Sequence, residues 1–217
     1  MNIRCVIFDM DGIIFDTEKV YYKAWVQAAK ENGYVINWDI YTQIVARNAK
    51  FIKLKLQELI SPDIPFDAIC SRKRELANEE IFTNGIEKKP GLDELLDFLD
   101  EQGIKKVVAT SSMREKSLKY LELASIRDRF DYIICGDEVD EAKPNPEIFL
   151  KAAAKVNMKP EECIVLEDSR LGIQASKAAG IKGIFIPDLV QADEEILSNA
   201  FMQAKSLSDI IRILPQI

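Results

Sequence analysis

The 217-residue chain has no histidine. That absence excludes every serine–histidine–aspartate triad, every imidazole general base and every histidine-ligated zinc centre. Cysteine is sparse: Cys5, Cys70, Cys135 and Cys163 stand far apart with no C-x-x-C pair, so buried, reduced thiols are expected rather than disulfides or zinc ligands. Positive charge is in deficit, with 29 lysines and arginines against 36 acidic residues and a net charge of −7. Such a chain has no general basic surface for a phosphate backbone, which argues against nucleic acid as the main partner. Long apolar runs are missing too. The run Cys5 to Phe8 is stopped by Asp9 and Asp11, so it reads as neither a signal sequence nor a membrane span. A cytoplasmic protein with no membrane partner is the expectation, and its chemistry must rest on carboxylates, hydroxyls, lysine and a hard metal.

Short runs rich in β-branched residues are present instead: RCVIF (4–8), KKVVAT (105–110), YIIC (132–135), CIVL (163–166) and GIFI (183–186). Each reads as a strand buried on both faces. The patterns LDELLDFLDEQG, REKSLKYLELAS, PEIFLKAAAKVN and SRLGIQASKAAG lie between the later runs and read as helices. Gly103 and Gly180 stand where helices should stop, and Asn145 before Pro146 reads as an N-cap with a first-turn proline. The alternation predicts an α/β fold with a mainly parallel sheet. Residues 18–86 break the rhythm with helical patterns and no core strand, so a helical body is expected there, inserted into a core made of residues 1–17 and 87–217.

Ligands of open α/β sheets bind beyond the carboxyl ends of the strands. The residues there are Asp9 and Asp11; Thr110, Ser111 and Ser112; the loop carrying Lys143 in AKPNPEIF; and Glu167, Asp168 and Ser169. Alternation along an extended segment sends Asp9 and Asp11 to the same side. Carboxylates so close repel unless a cation shares their site, and Mg²⁺ held by oxygen ligands with Lys143 nearby is the simplest relief. Plainer readings exist for each residue: Asp11-Gly12 as a turn, Ser112 as a helix cap, Lys143 as solvated surface, Glu167 and Asp168 as acids favouring a helix N-terminus. Their coincidence at consecutive strand ends favours a site.

The segments DMDGIIFDTE, VVATSS, AKPNPEIF and VLEDSRLGIQASKAAG resemble the four ordered motifs of the haloacid dehalogenase superfamily, in its β-phosphoglucomutase-like phosphatase branch. The resemblance covers the core nearly end to end. It implies a Rossmann-like sheet flanked by helices with an inserted α-helical cap domain, and hydrolysis of a small phosphorylated metabolite through an aspartyl phosphate. Asp9 then matches the nucleophile and Asp11 the general acid and base. Thr110 and Ser111 match the phosphate-binding segment, and Lys143 matches the cation that neutralises phosphate and Asp9. Asp9, Asp11 (by its carbonyl), Glu167 and Asp168 match the ligands of Mg²⁺.

Substrate choice is expected in the cap, where Tyr21, Arg47, Asn48 and Lys73 are candidates for touching the metabolite. Tyr21 stands where β-phosphoglucomutase has a histidine, and ARNAK where that enzyme has a glycine-containing loop. Hydrolysis is therefore expected over a sugar-phosphate mutase reaction. A non-catalytic phosphometabolite-binding or regulatory protein is a further alternative, although none of the motif acids is missing. Nothing in the sequence requires more than a monomer.

Overall fold

A computed structural model describes residues 3–45, 47 and 49–217. The chain divides into two compact units, one of Met1–Asp16 with Glu87–Ile217 and one of Thr17–Ile86.

The larger unit is built on one parallel sheet. Its strands are β1 (Cys5–Phe8), β2 (Lys105–Ala109), β3 (Tyr132–Ile134), β4 (Cys163–Glu167), β5 (Lys182–Phe185) and β6 (Met202–Gln203). They lie in the order β3-β2-β1-β4-β5-β6. β1 and β4 are buried at every position, which accounts for their unbroken apolar sequences. The chain builds outward from β1 through β2 to β3, then returns to β4 on the other side of β1. This reversal places the switch point of the sheet at the carboxyl ends of β1 and β4. Phe8 pairs with both Val108 and Leu166, so Asp9 emerges level with Ala109 and Glu167. Cys5 and Cys163 pair side by side at the opposite end. All four cysteines are free; Cys5, Cys135 and Cys163 are buried.

The first helices, α1 (Glu18–Glu31), α2 (Trp38–Ile44), α3 (Ala49–Leu59) and α4 (Phe66–Asn84), form the smaller unit. There α1 packs on α4, burying Ala24, Trp25, Ala28 and Ala29 on one and Ile69, Ala77 and Ile81 on the other. Spacings of three and four residues in α1, and of eight and four in α4, give each helix one apolar stripe. Asn37 accepts from the Ile40 N–H and starts α2.

The larger unit carries α5 (Leu92–Glu101), α6 (Arg114–Leu123), α7 (Glu147–Lys155), α8 (Arg170–Ala178), α9 (Glu194–Asn199) and α10 (Leu207–Ile213). On α5 the stripe Leu92, Leu95, Leu96 and Leu99 is buried. α7 packs against β1, β2 and β3 with Ile148, Phe149, Ala152 and Ala153 inward. Gly103 and Gly180 close their helices at φ 63° and 69°. No described helix is long and apolar enough to cross a membrane.

Three local expectations change. β6 is absent from the sequence reading, because a two-residue edge strand carries no periodicity. Ser112 is not the cap of α6: Met113 holds that position, and the Arg114 N–H is taken by Asp137 Oδ1 at 3.0 Å. The start of α7 lies one residue beyond the expected one, with Pro146 as N-cap. Asn145 still accepts the Glu147 N–H at 2.9 Å through its side chain.

Candidate active site

Lys143 ties three strand ends together. Its ammonium donates to Asp9 Oδ1 at 2.5 Å beyond β1, to the Ala109 carbonyl at 3.3 Å at the end of β2, and to Glu167 Oε1 at 2.8 Å at the end of β4. An ammonium has three donors and no acceptor, so this set uses all of them. The Lys143 side chain is 6% exposed. Its pKa is raised against the opposing effect of burial, because Asp9 and Glu167 both stabilise the charged form. Burial pushes Asp9 up to about 7, opposed by Lys143 and reinforced by Glu167 and Asp11. Glu167 has its other oxygen occupied by the Ser169 N–H at 2.7 Å.

The loop that carries Lys143 is held by its own side chains. The Glu147 carboxylate accepts from the backbone N–H groups of Asp140 and Glu141 and from Lys151. Asn145 bridges within the same loop, donating to Glu141 at 2.7 Å.

Asp11 lies in a tight turn in which the Ile14 and Phe15 N–H groups both bond to the Met10 carbonyl. Gly12 occupies this turn at φ +83°, where a side chain is strained. A Cβ there would also overlap the Asp168 carboxylate, its Cγ only 2.7 Å away. Gly12 thus lets the turn and Asp168 share one space. Gly172 does the same for Glu167, since a Cβ on that residue would overlap the Glu167 carboxylate. The Ser112 hydroxyl donates to Asp11 Oδ2 at 3.0 Å, and the Lys116 ammonium donates to Ser112 Oγ at 3.0 Å. Thr110 is buried, and its Oγ1 accepts the Ser112 N–H at 3.1 Å, leaving its hydroxyl proton to donate. Ser111 is exposed beside it. The loop after β3 closes on Ser111 and Ser112 through Gly136, whose N–H reaches the Ser112 carbonyl at 3.0 Å.

Asp9, Glu167 and Asp168 are all buried, between 1% and 8% exposed. Lys143 is set against two of these buried carboxylates, Asp9 and Glu167, and a site that gathers three buried carboxylates suits a cation. The donors are carboxylate and carbonyl oxygens without sulfur or imidazole, a set suited to Mg²⁺ and unsuited to soft metals. The residues present therefore fit a divalent ion. Among the described residues, a separate group of potential ligand atoms lies at Cys135, Asp137 and Glu138, within 4.8 Å of one another. Arg114 already occupies it, bonding Asp137 through its N–H and Glu138 through its guanidinium.

In the smaller unit, Lys73 sits over the rings of Tyr21 and Trp25, with Nζ 4.3 and 5.7 Å from their centroids. Tyr21 is half-buried and Trp25 buried. Arg47 is exposed, its guanidinium 5.1 Å from the Phe51 ring. Asn48 lies outside the described residues.

Sequence reasoning led to Asp9, Lys143 and Glu167 through their strand-end positions, and the structure joins them. It passed over Lys116, and it assigned Ser112 to capping. Ser112 stands two residues before α6, outside the helix, so helical spacing does not pair it with Lys116.

Comparison with known proteins sets this geometry in context. The family profile described as haloacid dehalogenase-like hydrolase matches residues 6–186. The phosphorylated carbohydrates phosphatase of Thermotoga maritima is 32% identical over 188 residues, covering 84% of each chain. The fructose-1-phosphate phosphatase of Escherichia coli is 30% identical over 183 residues, covering 82% of this chain and 94% of its own. Among solved structures, the β-phosphoglucomutase of Clostridium difficile superposes with a TM-score of 0.75 at 25% identity, covering 96% of this chain and 93% of its own.

Proposed function

This chain belongs to the haloacid dehalogenase-like hydrolase family, and from that premise we propose that it is a Mg²⁺-dependent phosphatase of a small phosphorylated sugar, acting through an aspartyl phosphate. The observation that carries this reading is the Lys143 clip, which fixes Asp9 at the switch point of the sheet beside Glu167. The relatives named for phosphorylated carbohydrates and fructose 1-phosphate support the substrate class.

In the first step an Asp9 carboxylate oxygen bonds to phosphorus as the bond from phosphorus to the ester oxygen breaks, and Asp11 gives its proton to the departing alcohol. In the second step Asp11 takes a proton from water as that water attacks phosphorus, releasing phosphate and restoring Asp9. Thr110 and the backbone after it donate to the phosphoryl oxygens, and Lys143 compensates their charge. Asp9, Asp168, the Asp11 carbonyl and Glu167, the last directly or through water, would hold Mg²⁺. The ion would supply charge neutralisation at the transferring phosphoryl group.

The test is phosphate release from a panel of hexose 1- and 6-phosphates and fructose 1-phosphate, with Mg²⁺ and with EDTA. Turnover with Mg²⁺, its loss in EDTA, and a fall of at least ~10⁴-fold in Asp9→Asn are expected. Absence of metal-dependent turnover across the panel would sink the proposal, and a folded, inactive protein that still binds these esters would favour a binding role. The likeness to β-phosphoglucomutase supports a second reading, phosphate transfer between sugar hydroxyls. With β-glucose 1-phosphate, glucose 6-phosphate in excess over free phosphate would establish that reading instead.

A further inference from the structure

We propose that Lys116 and Ser112 are positioning residues that aim Asp11 at the leaving alcohol, an inference that rests on the hydrolase reading above. The donor order in this chain of contacts is fixed by chemistry. Lysine has no acceptor, so at 3.0 Å the Lys116 ammonium must donate to Ser112 Oγ. The single Ser112 proton then goes to Asp11 Oδ2, also at 3.0 Å. The Lys116 ammonium lies 3.7 Å from that same oxygen. These two contacts converge on Oδ2 and so fix the rotamer of the Asp11 carboxylate.

A second contact grips the backbone of the same turn. Tyr120 stands four residues after Lys116 on α6, is fully buried, and has the Lys116 ammonium 5.0 Å from its ring centroid. Its ring meets Phe15 edge to face, at 6.2 Å and 85°. Phe15 in turn forms a β-bridge with Asp11. One face of α6 thus holds both the carboxylate, through Ser112 and Lys116, and the turn that bears it, through Tyr120. The Asp11 side chain is 25% exposed and that of Lys116 28%, so the assembly is open enough to meet a substrate while its rotamers stay restricted.

Leaving groups distinguish aim from general support. An alkoxide needs a proton as it departs, whereas a nitrophenolate does not. kcat/KM covers only the steps through phosphoryl transfer to Asp9, in which Asp11 acts as acid. We would therefore measure kcat/KM for p-nitrophenyl phosphate and for the sugar phosphate that the wild type hydrolyses best, in Lys116→Met, Lys116→Arg and Ser112→Ala. Lys116→Met and Ser112→Ala should lose about 10- to 100-fold on the sugar ester, with a loss at least about tenfold smaller on the aryl ester. Lys116→Arg should recover most of the difference. Equal losses on both esters, or none on the sugar ester, would overturn the proposal. A wild type inactive on every ester would overturn the hydrolase reading, and this inference with it.

Discussion

A glycine inside a helix is ordinarily a weakness, and replacing it by alanine gains up to ~1 kcal/mol. Gly172, in the first turn of α8, should behave in the opposite way. An added Cβ would overlap the Glu167 carboxylate, whose oxygens hold Lys143 and the Ser169 N–H. Overpacking of this kind costs about 1–3 kcal/mol, which outweighs the helical gain. Displacing Glu167 also loosens Lys143 from Asp9. Gly172→Ala should therefore lower stability by about 1–2 kcal/mol in urea unfolding and reduce kcat/KM roughly 100-fold or more. Stabilisation by the mutation would show that Glu167 does not occupy that space.

The loop before α7 gives a prediction for an element. Glu147 accepts from the Asp140 and Glu141 N–H groups, and its pKa is pulled down to about 2, first by Lys151 and then by those backbone donors. A depressed carboxylate pKa contributes hold above the unfolded value of 4.5 and loses it as pH falls through about 2. The wild-type amides of residues 140 and 141 should therefore stay protected from hydrogen exchange below pH 4. In Glu147→Ala they should exchange at every pH, and kcat/KM should fall about tenfold because Lys143 rides on this loop. Protection unchanged in that variant would mean that the loop is held otherwise. At this scale the sequence was most legible where burial acts on both faces of a strand or one face of a helix, as in β1, β4 and α5. It was least legible where a distant residue supplies the local chemistry. Asp137, from beyond β3, meets the first N–H of α6, and that freed Ser112 for Asp11. Lys116 escaped notice because the strand-end rule looks only at the residues directly after a strand, whereas its ammonium reaches back from the first turn of α6.

The two compact units are joined in a way that leaves the larger one covalently easy to close. The Asp16 N–H bonds to the Glu87 carbonyl at 2.9 Å and the Lys89 N–H to the Ile14 carbonyl at 2.8 Å, while Phe15 forms an antiparallel bridge with Lys88. The chain thus leaves and re-enters the larger unit through neighbouring backbone, like the two strands of a hairpin from which the turn has been opened. A two-residue Asn-Gly turn matches such a narrow antiparallel pair. All six strands, the Lys143 clip and the Asp11–Ser112–Lys116 chain lie within the larger unit. Replacing residues 17–86 by Asn-Gly should therefore give a protein with one cooperative thermal transition and Mg²⁺-dependent hydrolysis of p-nitrophenyl phosphate. Its preference among sugar phosphates should flatten to within roughly threefold, about 0.6 kcal/mol, because Tyr21, Arg47, Asn48 and Lys73 all leave with the helical unit. Circular dichroism melting and the same phosphate-release panel measure both outcomes. A shortened chain that folds and keeps the full-length order of preference would locate substrate choice in the α/β unit itself, and one that does not melt cooperatively would show that the sheet depends on the inserted helices for its stability.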